Sequence, residues 1–229
     1  MKDSAKIIMM GDVGPTFGHT RKTMDKKVTQ FNIGGKSPQR LFVSDSHWGH
    51  YNIIKHCNRP WSIEEHDDAL VERWNAVVSK RDIVYHLGDF AMFKSIPGMD
   101  RMKAYRKLRM RLNGKIHLVL GNHDKMSSEV YDTFTEVYPG LKEITIEKQK
   151  ITLCHYPMRS WNCSFHGSWH LYGHVHGRME GTNYGLSQDV GVDVPDWNYA
   201  PIPWENLKAK MKTKIPDWEK SKTNGTSRG

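Results

Sequence analysis

Two histidines stand two residues apart in the stretch LYGHVHGR, which spans residues 171–178. A glycine precedes the pair and another follows it, so the backbone can turn sharply there and approach other groups closely. In an extended segment, side chains two residues apart point to the same side. We therefore expect His174 and His176 to face one cavity, where two imidazoles could bind metal. The alternative is chance, since the chain holds 13 histidines, and a metal site needs ligands from elsewhere.

Similar polar clusters follow short apolar runs at several other points of the chain. They combine carboxylates, imidazoles and an amide, which suit ions such as Mn, Fe, Zn, Co or Ni. The clusters are Asp45-Ser46-His47, Gly88-Asp89, Gly121-Asn122-His123-Asp124, His155 and Gly173-His174-Val175-His176. Taken alone, His155 would more often be a core histidine and Asp89 a helix cap. The prediction of a metal site therefore depends on the set as a whole.

Short buried strands that alternate with amphipathic helices must position these clusters. Apolar runs predict strands at 6–10, 41–44, 83–87, 116–120, 169–172 and 188–194, and a hairpin of 143–147 with 151–154. Ser62 and Glu65 match a capping box before a helix expected over 63–79, and two further helices are expected at 99–112 and 204–213. In layered α/β folds, functional groups gather at the carboxyl ends of strands, so we expect the clusters to converge.

Composition limits the class of protein. The 229 residues suit one domain at 1–220, with an N-terminal extension at 1–38 whose structure is not assigned and a disordered tail at 221–229. With 38% apolar residues, no long apolar run and no signal peptide, we expect a cytoplasmic protein without membrane contact. The net charge of +9 would attract nucleic acid or another phosphate-rich partner. The alternative is that the lysines at 21–27 and 208–222 belong to solvated ends.

The ordered set D-x-H, G-D, G-N-H-D, H and G-H-x-H resembles the calcineurin-like metallophosphoesterase superfamily. It runs from Asp45 to His176, with a weaker echo at Gly191-Val192-Asp193. The pattern Ser44-Asp45-x-His47-x-Gly49-His50-x-Asn52-Ile53 is similar to that of small, uncapped bacterial and phage members described as predicted phosphoesterases. The resemblance implies an α/β (α+β) fold, a four-layer αββα sandwich of two mixed β-sheets flanked by helices, with a dinuclear metal site at the strand ends.

Carried over by motif position, the resemblance implies two divalent transition-metal ions, with Mn as the first choice and Fe, Zn, Ni or Co as alternatives. One ion would be held by Asp45, His47, Asp89 and His176. The other would be held by Asp89, Asn122, His155 and His174, so Asp89 would bridge the two. The ions would activate a hydroxide that attacks phosphorus. His123 would act at the leaving-group oxygen as general acid or charge stabiliser, and Asp124 would orient its imidazole.

Residues beside the clusters supply candidates for substrate binding. Arg59 and Arg178 could each clamp a phosphate with two hydrogen bonds, and the alternative for each is an ordinary surface arginine. His50 and Asn52 are candidates from the first cluster, and the alternative there is a pair that packs the loop.

The resemblance favours metal-dependent hydrolysis of a phosphoester over the other functions. Segments between the motifs are short, which leaves no room for a large capping domain, and an open groove favours phosphodiesters related to nucleotides or nucleic acid. Serine/threonine protein phosphatases are disfavoured because their motif arginines are absent from 88–92 and 120–124. The alternatives are a nuclease acting on DNA or RNA, a phosphomonoesterase, and a non-catalytic metal-binding scaffold, which the complete ligand set disfavours.

Overall fold

The computed structural model describes residues 37–93, 98, 100–125, 128–179 and 184–215. The strand predicted at 6–10 and the tail predicted at 221–229 lie outside these ranges, as do the first 36 residues of the predicted extension. The domain boundaries therefore stay predictions.

One sheet carries the first three polar clusters. Its strands are β1 (Arg40–Val43), β2 (Ile83–His86), β3 (Lys115–Val119), β4 (Glu136–Tyr138) and β9 (Ile202–Pro203). They lie in the order β4-β3-β2-β1-β9, with only β9 antiparallel to its neighbour. Because β1, β2 and β3 are parallel neighbours, their carboxyl ends share one edge of the sheet.

The second sheet carries the remaining clusters. Its strands are β5 (Leu141–Ile146), β6 (Gln149–Cys154), β7 (Trp169–Tyr172) and β8 (Ser187–Asp189), in the order β5-β6-β7-β8. The predicted hairpin is β5–β6, and its turn residues Glu147 and Lys148 have φ of 50° and 69°, which suits a two-residue hairpin turn. The strand predicted at 188–194 ends early, at Asp189. Beyond it, Gly191 forms a parallel bridge with Ser44, so the ends of β8 and β1 meet.

Five α-helices complete the described structure. They are α1 (Asn52–His56), α2 (Ile63–Val77), α3 (Arg101–Arg111), α4 (Ser128–Tyr131) and α5 (Trp204–Lys212). The predicted capping box is present at the start of α2, where the Ser62 side chain accepts from Glu65 N and the Glu65 side chain accepts from Ser62 N. None of these helices is long and apolar enough to span a bilayer.

Two apolar clusters hold the layers together. In one, Trp74 of α2 and Leu108 of α3 pack with Ile116 of the first sheet. In the other, Phe42 of the first sheet packs with Leu153 of the second, so the two sheets face each other. Full burial of one such apolar side chain stabilises the fold by roughly 1.5–3 kcal/mol. The architecture is the predicted α/β sandwich, two mixed sheets flanked by helices, with the polar clusters at the strand ends.

Candidate metal centre

Backbone hydrogen bonds join the loops that carry the clusters. Asp45 N donates to Gly88 O at 3.0 Å, which links the loop after β1 to the loop after β2. Gly173 N donates to His155 O at 2.9 Å, which links the ends of β7 and β6. The bridge between Ser44 and Gly191 then connects the two sheets at the same edge. Backbone contacts therefore bring together the loops that carry the predicted ligands.

Three predicted ligands form what we call the enclosed group: Asp45, His47 and His176. Their potential ligand atoms all lie within 4.8 Å of one another. Asp45 is fully buried and His47 is 2% exposed. The His47 and His176 rings stack with centroids 5.3 Å apart.

Three others form the open group: Asp89, His155 and His174, whose potential ligand atoms also lie within 4.8 Å of one another. Asn122, predicted to share this site, places its Oδ1 3.0 Å from His155 Nε2. Asn122 and His174 are exposed, whereas Asp89 and His155 are as buried as Asp45 and His47 of the first group.

Asp89 lies between the two groups. Its Oδ2 is 3.3 Å from His47 Nε2 in the enclosed group and 3.5 Å from His155 Nε2 in the open group. A single carboxylate oxygen thus approaches an imidazole nitrogen of each group. All seven predicted ligands are brought together, and the binding of metal by them stays a prediction.

Five of the seven predicted ligands have left-handed backbone conformations. Their φ angles are 59° for Asp45, 53° for His47, 55° for Asp89, 70° for His174 and 51° for His176. The loops are therefore not extended, contrary to our expectation. The side chains of each pair two residues apart still face the same cavity. Such conformations cost about 1–3 kcal/mol each in non-glycine residues and concentrate at functional sites, which favours a functional reading of this edge.

Glycines are required where the loops touch these carboxylates. A Cβ on Gly173 would collide with Ser44 Oγ and Asp45 Oδ2, and one on Gly121 would collide with Asp89 Oδ1. The glycines flanking the clusters therefore permit close approach, as their positions in the motifs predict.

The electrostatics of the site fit a cation. Burial raises the pKa of Asp45 well above its usual value, and the nearby charges of Asp189 and Asp89 raise it further. Burial lowers the pKa of His47 to about 4, so its imidazole is neutral at pH 7. His47 Nε2 is buried and makes no well-directed hydrogen bond, although Asp89 Oδ2 lies 3.3 Å away. Crowded carboxylates beside such an imidazole nitrogen are what a divalent ion would stabilise.

Hydrogen bonds set the tautomers of two of the histidines. His155 Nδ1 lies 2.8 Å from Leu87 O, and a carbonyl only accepts, so Nδ1 carries the proton. His176 Nδ1 lies 2.6 Å from Asp193 Oδ2, which fixes this ring in the same way. In the neutral rings the Nε2 lone pairs are then left for the site, an arrangement common among histidines that bind metal.

Arg59 is not available to bind substrate, contrary to our prediction. It is 4% exposed, and its Nε and one terminal nitrogen each donate to Asp193 at 2.8 Å. The guanidinium also donates to Ser46 O at 2.9 Å and Asp45 O at 2.8 Å. Burial would raise the pKa of Asp193, but hydrogen bonds from His176 and Arg59 lower it to about 2. Arg59 therefore braces the enclosed group through Asp193.

Asp124 also has a different role from the predicted one. Its carboxylate accepts from three backbone N–H groups, those of Asp89 at 2.6 Å, Phe90 at 2.9 Å and Gly121 at 2.8 Å. These bonds fix the loop after β2 against the loop after β3. They replace the expected contact with the His123 imidazole, because the backbone donors occupy both carboxylate oxygens.

His123 is placed at the rim of the site. Its backbone N donates to Asp89 Oδ1 at 2.9 Å, and its ring Nε2 lies 4.0 Å from Asp89 Oδ2. The side chain is 37% exposed, so the ring can meet a substrate. His50 is nearby, with its ring centroid 6.0 Å from that of His123 and its Nδ1 3.2 Å from His47 Nδ1.

The other two candidates for substrate binding lie on the surface. Asn52 is exposed and is the first residue of α1. Arg178 is exposed and donates to His56 O at 3.2 Å. Neither placement tests substrate binding, which stays a prediction for both.

Sequence reasoning missed the bracing role of Asp193 and Arg59. For Asp193 a signal existed in Gly191-Val192-Asp193, a further run of the same kind as the Gly-Asp cluster. For Arg59 there was no signal, because its partner lies 134 residues away in the chain.

Comparisons with known proteins agree with the resemblance seen in the motifs. A family model described as the calcineurin-like phosphoesterase superfamily domain matches residues 39–186. The chain is 38% identical over 126 residues to the uncharacterized protein MJ1445 of Methanocaldococcus jannaschii, covering 55% of this chain and 62% of that protein. It is 37% identical over 83 residues to the Gene 66 protein of Mycobacterium phage L5, covering 36% and 38%. The chain thus matches less than two thirds of the length of each relative.

Among solved structures, the chain is similar to AQ665 from Aquifex aeolicus, a protein of unknown function. The TM-score is 0.60 at 24% identity, and the match covers 76% of this chain and 100% of that one. At this identity, the similarity shows a shared fold and nothing about function.

Proposed function

The chain belongs to the calcineurin-like phosphoesterase superfamily, and from this premise we propose that it hydrolyses phosphodiesters with two divalent metal ions. The observation that carries the proposal is the position of Asp89, whose Oδ2 lies 3.3 and 3.5 Å from imidazole nitrogens of the enclosed and open groups. When bound, two divalent ions would neutralise phosphate charge and make water a better nucleophile. Mn is our first choice of ion, with Fe, Zn, Ni or Co as alternatives.

The chain's own residues would hold the ions and act on the leaving group. The enclosed group with Asp89 would hold one ion, and the open group with Asn122 would hold the other. His123 would donate a proton or a hydrogen bond to the leaving-group oxygen, because its ring is exposed at the rim and lies beside Asp89. Asp124 would contribute by keeping the two central loops together.

A phosphodiester fits this site better than a phosphomonoester. The ligands Asn122 and His174 are exposed, so the open group borders solvent. A diester needs room for a substituent on each side of phosphorus, which an open site gives.

Metal removal and restoration would test the proposal. The protein stripped with EDTA should not hydrolyse bis(p-nitrophenyl) phosphate, and Mn²⁺ should restore hydrolysis, with the diester preferred over p-nitrophenyl phosphate. Asp89→Ala should lose more metal than any other single ligand variant, because it removes a ligand from both groups. The matched control is Asp68→Ala, a change to an exposed carboxylate on α2. Full metal content in Asp89→Ala would contradict the bridging role, and activity that survives EDTA would contradict the proposed function.

A further inference from the structure

We propose that the exposed surface of α3 binds the sugar–phosphate backbone of a nucleic-acid strand whose scissile phosphate lies in the metal centre. We call this surface the basic face, and it consists of Arg101, Lys103, Arg106 and Lys107. The proposal rests on the proposed function, because it names the substrate class of the same site.

The charged residues of α3 are all positive. Its sequence, RMKAYRKLRMR, has six lysines and arginines and no acidic residue. Two of the six are engaged: Arg109 donates to the carbonyl oxygens of Thr133, Leu112 and Gly114, and Arg111 forms an ion pair with Asp68 at 2.6 Å. The four residues of the basic face are exposed, and no acidic partner is found for them within the part of the chain that the structure describes.

The positive charges of the basic face destabilise α3. Lys103 and Lys107 stand four residues apart, and like charges at this spacing destabilise a helix by about 0.2–0.5 kcal/mol. In α5, two of the three lysines have acidic partners, because Lys208 pairs with Glu147 and Glu205, and Lys210 pairs with Asp196. The four residues of the basic face have none among the described residues, which favours an external anionic partner for α3.

Packing contacts link the basic face to the loop that carries His47 and His50. A cavity of about 320 Å³ lies between α2 and α3, and its lining includes Lys103, Lys107 and Phe93 together with the carboxylates of Asp67 and Asp100. The Phe93 ring packs directly against Gly49, where it occupies the space a Cβ would need. Gly49 precedes His50, whose ring contacts His47 of the enclosed group. A strand that leaves the metal centre past His50 would therefore reach the basic face.

The spacing of the charges suits a polyanion. From Arg101 to Lys107 the helix rises about 9 Å, at 1.5 Å per residue. This length exceeds one phosphate group, whereas a nucleic-acid strand of a duplex carries a charge about every 3.4 Å along its axis. An acidic peptide would match the charge but would bring no phosphoester to the centre. The geometry therefore favours nucleic acid.

The experiment compares two double variants of the full chain that change the net charge equally. Lys103→Glu with Lys107→Glu reverses half of the basic face. Lys80→Glu with Lys212→Glu reverses two exposed lysines elsewhere, in the turn before β2 and at the end of α5. Binding of a fluorescein-labelled single-stranded DNA is followed by anisotropy in EDTA over a series of salt concentrations, so that no cleavage occurs. Thermal unfolding of each variant checks that it is folded.

We expect the wild type to bind DNA with an affinity that falls steeply with salt. The α3 variant should bind more weakly, and the slope of log K against log salt should shrink by about 1.4, at about 0.7 for each lost phosphate contact. The control should keep most of the wild-type slope. Equal losses in both variants, or no binding by the wild type at low salt, would overturn the inference.

A second assay separates this inference from the proposed function. Wild-type hydrolysis of bis(p-nitrophenyl) phosphate with Mn²⁺ needs no contact with α3. Hydrolysis without DNA binding would overturn the inference and leave the proposed function standing. DNA binding through α3 without hydrolysis of either the aryl diester or DNA would overturn the proposed function, and with it the substrate role of the basic face.

Discussion

The enclosed and open groups are built in different ways. The enclosed group is braced by side chains: Arg59 holds Asp193, and Asp193 holds the His176 ring. The open group is braced by backbone, since the His155 ring is held by the carbonyl of Leu87. Buried charges such as Asp45 need compensating charges nearby, whereas the exposed His174 can rely on water. We therefore expect the enclosed group to depend on distant residues and the open group to tolerate change around it.

The largest expected effect is a loss of hydrolysis rate without a loss of metal, and it distinguishes His123 from the residues of both groups. His123→Ala should keep both metal ions and lose roughly 10²–10⁴-fold in rate, the usual contribution of a positioned acid. Alkyl diesters should be slowed most, because an alkoxide needs a proton as it leaves, and nitrophenyl diesters least.

The comparison variant is His174→Ala, which should lose metal from the open group and slow all esters alike. For both variants, the metal content and the rates of hydrolysis of one alkyl and one aryl diester are measured. Loss of metal from His123→Ala, or equal slowing of the two esters, would contradict the role of His123 at the leaving group.

The second prediction tests the bracing of the enclosed group in the absence of metal. Arg59→Met should destabilise the fold by about 3–5 kcal/mol, because it leaves a buried carboxylate with one partner fewer. Arg111→Met, which removes an exposed ion pair with Asp68, should change stability by less than about 1 kcal/mol. Urea unfolding in EDTA measures both. If the two variants lose similar stability, the Arg59–Asp193 pair is not a structural brace.

The smallest predicted effect is selective for one ion. Asp193→Asn keeps the shape of the side chain but weakens its hold on the His176 ring, so affinity for one of two ions should fall about 10–100-fold. The other ion should bind as in the wild type. Calorimetric titration with Mn²⁺ resolves the two sites, and Asp196→Asn, an exposed carboxylate near the end of the same loop, is the control. Equal weakening of both ions would remove the distinction between the groups.

Much of the sandwich could be predicted from the sequence because its elements depend on local patterns. The apolar runs before Asp45, Asp89 and Asn122 are strands, and Ser62 with Glu65 marks the start of α2. Strand ends in turn predict which polar residues can meet, since parallel neighbours share an edge. The convergence of the seven predicted ligands followed from this rule and from the motif resemblance.

The errors concern residues whose role depends on distant partners. Nothing near Arg59 shows that a carboxylate 134 residues away will bury its guanidinium. Asp124 follows His123 directly, so a contact between them was a reasonable expectation, but the backbone N–H groups of two loops compete for its oxygens. Left-handed conformations at the ligands were also missed, because Asp and His carry no sign of them in the sequence.

The distance in sequence between Asp45 and Asp193 has a consequence for biosynthesis. Ribosomes release the chain from its N-terminus, so Asp45 and His47 emerge long before His176 and Asp193, which complete and brace the enclosed group. A nascent chain that stops before His176 offers only two of the three ligands of that group. We therefore expect metal to be loaded after translation of the domain, on a folded protein, and the supply of metal at that stage would decide how much metal-loaded protein a cell obtains from each message.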